Sequence, residues 1–348
     1  MHIERCDEPG EEWDRFCAET PGAGLGHAAA WAAVYRESYR LAPEYWIARS
    51  RPAGELCGVL PLVPLRGLTG ARQLVSLPFL DSAGVLASEP AARAALLETA
   101  ARRARELGAR FAELRQTQAT ALAAPGGLPA SRVDLALALE ASEEAQWKRL
   151  GAKVRNQTRK AEKEGLRLAA GSNEALLDGF YAPFAANMRD LGSPVHARAF
   201  FAALTRAFGE RLRLVVALRG ETPVGGLVAI QHLDSVGIPW ASTLRSERAR
   251  CPNNHIYWEA IRWAIRRGAR ELDFGRSPLD SGTYRFKQGW GAEPRGLAWA
   301  RLSPEGALTA LAGLESSRLL ERMSALWTRL PLGLTRALGP RLRRHLSN

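Results

Sequence analysis

The chain is poor in lysine. It has five, at positions 148, 153, 160, 163 and 287, and the other 43 of its 48 basic residues are arginines. Sulfur is scarce as well, with four cysteines and three methionines. Cys6, Cys17, Cys57 and Cys251 are scattered, with no C-x-x-C pair. That excludes a local thiolate metal site or redox dithiol and fits a reducing compartment. No metal is expected. No apolar run approaches the roughly 18 to 20 residues that a membrane span needs. The opening Met1-His-Ile-Glu-Arg-Cys-Asp-Glu8 is charged and lacks a signal-peptide core, so the expected location is the cytoplasm.

What is present is an ordinary soluble composition of 46% hydrophobic and 24% charged residues over 348 positions. That length suits two domains, each able to bury a core. The net charge of +12 is unevenly spread. Residues 1–140 hold 15 basic and 17 acidic residues, net −2, whereas residues 141–348 hold 33 and 19, net +14. A polyanionic partner is therefore expected to meet the second half. Candidates are a nucleotide-linked substrate, an acyl-CoA, a tRNA or an anionic lipid surface.

The two halves share an order of elements. Gly108-Ala-Arg and Gly268-Ala-Arg lie 160 residues apart, and each follows a helical pattern. In the first, Leu96, Leu97, Ala100, Ala104 and Leu107 recur at helical spacing; in the second, Ile256, Ala260, Trp263, Ala264 and Ile265 do so. Each helix is expected to end at its glycine and to enter a short strand, Arg110–Leu114 or Arg270–Phe274. Cys57–Leu65 and Val224–His232 read as apolar strands, and Gln73–Pro78 and Ser235–Leu244 as the strands after them. Each half is thus strand, strand, loop, helix, strand.

A strand, loop and helix N-terminus make an anion site, because unpaired N–H groups point into it. The second-half loop, Arg245–His255, carries Arg245, Arg248 and Arg250, with Asn253 or Asn254 as the expected N-cap. The first-half loop, Asp81–Pro90, is acidic. Between the halves, Gln146–Gly165 reads largely as one helix ending at Gly165 and holds four of the five lysines. Lys153, Arg155, Asn156, Arg159 and Lys160 are its candidate phosphate ligands. From about Gly306 the pattern is helical, with Leu334, Leu338, Leu342 and Leu346 beside Arg336, Arg341, Arg343 and Arg344. Such a tail either docks on an anionic membrane or packs on the protein.

The fifth lysine stands apart, in Asp273-Phe-Gly-Arg-Ser-Pro-Leu-Asp-Ser-Gly-Thr-Tyr-Arg-Phe-Lys287-Gln-Gly-Trp-Gly291. A lysine offers a compact ammonium that acts as a point charge on a carbonyl or phosphate. This stretch, with Leu74–Leu80, Lys153–Lys163, Asn187–Pro194 and Trp258–Trp263, resembles the FemAB/FemX-like branch of the GNAT superfamily. The resemblance spans about residues 20–300 and is greatest to the FemAB-related proteins of PEP-CTERM/exosortase systems.

The resemblance implies an α/β (α+β) fold of two tandem GNAT-like domains, each a mixed central sheet flanked by helices. Expected boundaries are 1–140 and 141–302, the second with the basic connector, and a basic tail over 303–348. It implies an acyl- or aminoacyl-transferase that forms an amide on an amine of a peptidoglycan- or exopolysaccharide-type precursor. No tightly bound cofactor is implied, and the donor is aminoacyl-tRNA or acyl-CoA. The family's oxyanion-stabilising lysine falls on Lys287. Tyr284 is a proton-transfer candidate and Asp273 a candidate acceptor of the amine proton. Tyr284 and Trp290 frame the site, Arg285 and Phe286 are substrate-binding candidates, and Arg276, Arg245, Asn253 and Asn254 contribute to phosphate binding. The chain departs from the pattern in two ways. It lacks the coiled-coil arm of some Fem enzymes and the Arg/Gln-x-x-Gly-x-Gly/Ala loop that grips CoA. Alternatives are an acyl-CoA-dependent N-acyltransferase and a non-catalytic binder of a polyanionic precursor.

Overall fold

The computed structural model describes residues 1–117, 132–311 and 318–347. The chain divides into two compact units. The first comprises Met1–Val133, Arg295–Leu314 and Arg344–Asn348; the second comprises Asp134–Pro294 and Glu315–Arg343.

The first unit runs β1 (His2–Cys6), α1 (Glu11–Glu19), α2 (Trp31–Tyr39), β2 (Glu44–Arg49), β3 (Leu56–Arg66), β4 (Arg72–Val75), β5 (Leu86–Ala87), α3 (Pro90–Leu107) and β6 (Ala112–Thr117). β1, β2, β3 and β4 pair antiparallel in sequence, and β4 then pairs parallel with β6. α3 begins with Pro90, whose fixed φ suits a first helical position, and ends at Gly108 with φ 64°. Its Leu96, Ala100 and Ala104 are fully buried with Leu60, Leu62 and Leu74 of the sheet. That burial is what holds this alanine-rich helix on the sheet.

The second unit runs β7 (Arg132–Ala138), α4 (Glu143–Arg149), α5 (Ala152–Lys163), β8 (Leu166–Gly171), α6 (Leu177–Asp190), α7 (Arg198–Phe208), β9 (Leu212–Arg219), β10 (Thr222–His232), β11 (Ser235–Thr243), α8 (Pro252–Arg266), β12 (Glu271–Pro278) and α9 (Gly282–Gly289). β8, β9, β10 and β11 are antiparallel neighbours, and β11 pairs parallel with β12. β8 to β12 thus repeat the order and directions of β1 to β4 and β6. β13 (Glu293–Leu302) then pairs with β6, and β14 (Leu308–Ala310) pairs with β13. α10 (Arg318–Trp327) and α11 (Leu332–Arg343) follow in the second unit.

Several sequence expectations need correction. The strand expected over Gln73–Pro78 stops at Val75, because Leu77 (φ 46°) and Phe79 (φ 74°) are left-handed and turn the chain out of the sheet. The strand expected at Arg110–Leu114 lies at β6, two residues later at its start. The connector is two helices, not one, because Leu150 and Gly151 are extended (ψ 141° and 148°). The N-cap of α8 is Cys251, left-handed at φ 59°, so Asn253 and Asn254 sit inside the first turn. Residues Leu308–Ala310 are strand, not helix. Ser303 Oγ accepts from the Glu305 and Ala307 N–H groups, and Gly306 at φ 90° closes a hairpin there. Leu346 lies beyond the end of α11. The part of the helical tail expected over 312–317 lies outside the described residues.

Candidate active site

β11 and β12 pair only through Ser235–Gly237 and Glu271–Asp273. β11 continues to Thr243 and β12 to Pro278 without further pairing to each other. The sheet therefore opens just past Asp273, and the strand ends beyond that point are free to face a ligand. Gly275, at φ 71°, provides the bend. The Asp273 carboxylate fixes it, accepting the Gly275 N–H at 2.6 Å.

The lysine singled out in the sequence sits at this bend. Ser281 caps α9, its hydroxyl accepting the Tyr284 N–H at 3.1 Å. One turn on, Lys287 is 7% exposed, and its Nζ donates to the Gly275 and Arg276 carbonyls at 2.6 and 2.9 Å. An ammonium so deep needs such acceptors to offset lost hydration. Asp273, Gly275 and Lys287 form a chain in which each group positions the next. The Tyr284 hydroxyl accepts from Gln288 Nε2 at 3.0 Å, with the ring buried. Phe286 packs edge-on against Tyr257 and Trp290, at 5.3 and 6.4 Å between centroids. Arg285 is exposed, and Arg276 is half-buried.

Two polar groups near this bend have no protein partner among the described residues. They are Ser277 Oγ, on a residue 1% exposed, and the indole N–H of Trp290, 2% exposed. Sequence reasoning named Trp290 but gave Ser277 no role. Only an unmatched buried hydroxyl marks it, and burial is not written in the local sequence.

The basic helices are joined to the same region. A Cβ on Gly289 would lie 3.8 Å from Val154 of α5. Asn254 Nδ2 donates to Gln157 Oε1 at 3.4 Å, which ties the first turn of α8 to α5. Lys153, Asn156, Arg159 and Lys160 are exposed. Arg159 lies over the Trp147 ring at 5.4 Å. Arg155 turns back, Nη1 donating to the Lys148 and Leu150 carbonyls at 3.1 and 2.9 Å, so it links α4 to α5. In the Arg245–His255 loop, Arg250 pairs with Glu247 and Glu164, whereas Arg245 is exposed. No group of three or more metal-ligating side chains occurs among the described residues.

The corresponding opening in the first unit is filled. Past Val75, the Ser76 N–H bonds to the Glu113 carbonyl at 2.8 Å and the Ala83 N–H to that of Arg115 at 3.0 Å. Arg115 is fully buried, with its guanidinium on Glu113 at 2.7 Å and on the Leu80 carbonyl at 2.6 Å. Residues 76–85 thus occupy the space beside β6. Among the described residues, the strand pair of the second unit stays open past Asp273.

Residues 148–288 match the family model described as "Acetyltransferase (GNAT) domain". This stretch is similar to a GNAT acetyltransferase domain. That match covers α5, the open strand pair and α9 up to Gln288, so Lys287 lies inside the matched stretch. Among solved structures, the chain is similar to FemX at 12% identity and TM-score 0.65, covering 94% of this chain and 100% of that one. It is similar to a tandem GNAT protein from the clavulanic acid biosynthesis pathway at 14% identity and TM-score 0.53, covering 87% and 99%. It is also similar to L-PGS from Bacillus licheniformis at 12% identity and TM-score 0.50, covering 93% and 99%. The fold is therefore the tandem, FemX-type GNAT fold. No curated protein sequence matches the chain.

Proposed function

We propose that this GNAT protein is a FemX-like transferase. It moves an acyl or aminoacyl group onto an amine of a phosphate-bearing envelope precursor, of peptidoglycan or exopolysaccharide type. The observation that carries the reading is Lys287, a buried ammonium locked onto two carbonyls at the open end of the parallel strand pair. Attack of an amine on an ester or thioester carbonyl creates a tetrahedral oxyanion. A fixed cation in a water-poor site stabilises that charge without reorganising. In this reading Asp273 orients Gly275 and hence Lys287, or takes the proton of the attacking amine. Tyr284 is the proton-transfer partner for the leaving group. Arg276, Arg285, Phe286 and Trp290 frame the acyl group, and Ser277 and the Trp290 indole donate to it.

The exposed cations Lys153, Arg159, Lys160 and Arg245, with Asn156 and the first turn of α8 at Asn253 and Asn254, suit the phosphates of the donor. Arg155 supports them by holding α4 on α5. A GNAT domain also accommodates an acyl-CoA donor, which is the second reading. Radiolabelled aminoacyl-tRNA and acyl-CoA, offered separately with an amine-bearing precursor, test the donor. Label transfer from charged tRNA supports aminoacyl transfer, and transfer from acyl-CoA alone overturns it in favour of the second reading.

A further inference from the structure

The segment Arg318–Arg343 supplies none of the groups at the candidate site. It carries six arginines (318, 322, 329, 336, 341 and 343) and one acidic residue, Glu321. Its two helices differ in how they are held. α11 is docked: Thr335 and Gly339 are buried, and a Cβ on Gly339 would lie 2.9 Å from Val195. At its end, Arg343 Nε donates to His196 Nε2 at 3.1 Å. α10 meets the body through Ser324, which packs so closely on Gly192 that a Cβ there would lie 2.0 Å from its hydroxyl. Trp327 is half-buried, while Glu321, Arg322, Met323, Ala325 and Leu326 are exposed.

Part of that exposed surface is apolar. Met323 is 49% and Leu326 63% exposed, with Leu334 of α11 (43%) and Leu191 beside Gly192 (60%) exposed too. At about 100° per residue, Met323 and Leu326 lie side by side on one exposed face of α10. Arg322 is exposed on α10, and Arg329 is exposed in the turn just after it. Arg322, Arg329 and Arg341 make no ion pair among the described residues. Elsewhere in the same unit Arg198, Arg206, Arg262 and Arg266 pair with carboxylates.

We propose that α10 and the start of α11 form a docking face for an anionic phospholipid surface. The charge argues for that occupant. A second copy of this chain would set arginine against arginine across a self-complementary contact. An anionic bilayer offers phosphates to the arginines and an acyl boundary to Met323, Leu326 and Leu334. With ten residues, α10 is about 15 Å long at 1.5 Å per residue and lies in the interface rather than crossing it. This proposal does not depend on the catalytic reading.

Co-sedimentation of the full chain with vesicles tests it. Vesicles with about 30% phosphatidylglycerol should bind it at low salt and release it near 0.5 M salt, while pure phosphatidylcholine should not bind. Met323→Glu/Leu326→Glu should weaken binding at least about tenfold, and Arg322→Glu/Arg329→Glu should do likewise. All four side chains are exposed, so the melting temperature should be unchanged, and either double variant alone keeps the test valid. Absence of wild-type binding, equal binding to neutral vesicles, or unchanged binding by both variants would overturn the proposal. So would a wild-type dimer, seen by light scattering and lost with Met323→Glu/Leu326→Glu, that leaves vesicles untouched.

Discussion

In the proposed reading, Lys287 both anchors the Gly275 and Arg276 carbonyls and stabilises the oxyanion. Lys287→Met removes the charge and leaves the Gly275 and Arg276 carbonyls without their shared donor. It should lower the rate of transfer by about two to three orders of magnitude. It should also cost about 1–3 kcal/mol of stability, read in a denaturant melt. A variant as active as wild type would remove Lys287 from the chemistry. Asp273 separates in a different way. Asp273→Asn keeps an oxygen for the Gly275 N–H but cannot take a proton, whereas Asp273→Ala loses both. If Asp273 only positions, the Asn variant should keep most of its activity and the Ala variant should not. Similar losses in both would make it the base. The sequence pointed to Lys287 because lysine is rare here. It could not reveal that the lysine is anchored by carbonyls from β12, since those come from residues 11 and 12 positions earlier.

At the level of elements, two copies of one strand, strand, loop, helix, strand pattern end in opposite states. Periodicity carried the copies: Leu96, Ala100 and Ala104 in α3 and Ile256, Ala260 and Ala264 in α8 are buried as their spacing required. The fate of each loop was not legible, because it depends on which backbone groups find partners across the fold. In the first unit Gly26 shows how tightly the inserted loop is packed, since a Cβ there would sit 2.1 Å from the Ser82 carbonyl oxygen. Gly26→Ala must therefore shift backbone, and should cost about 1–3 kcal/mol with little effect on the second unit's chemistry. On α5, Lys153→Glu/Lys160→Glu should raise KM for a phosphate-bearing donor by about tenfold, equivalent to about 1.4 kcal/mol, and leave kcat near wild type. An unchanged KM would take α5 out of donor binding.

Across the whole molecule, three histidines share one pH signature. Burial holds the imidazoles of His27, His196 and His255 below their ordinary range, and the Arg343 guanidinium pushes His196 further down. As pH falls through about 6.5, the unfolded chain takes up protons that the folded chain refuses. Stability should therefore be level above about pH 7 and decline between pH 6.5 and 5. His196→Gln should make that decline shallower, as followed by thermal melting across the same range.

Charge asymmetry, the repeated order of elements and the isolated lysine are properties of composition and local period, so the sequence alone determined them. It also placed a basic, leucine-bearing tail after the second half. Tertiary structure decided the rest. It set where the parallel pairs part, which opening its own loop fills, and which tail helix is buried. It also brought Ser277 and Trp290 to the site without partners. Each of these turns on contacts between residues far apart in the chain, and no local pattern encodes them.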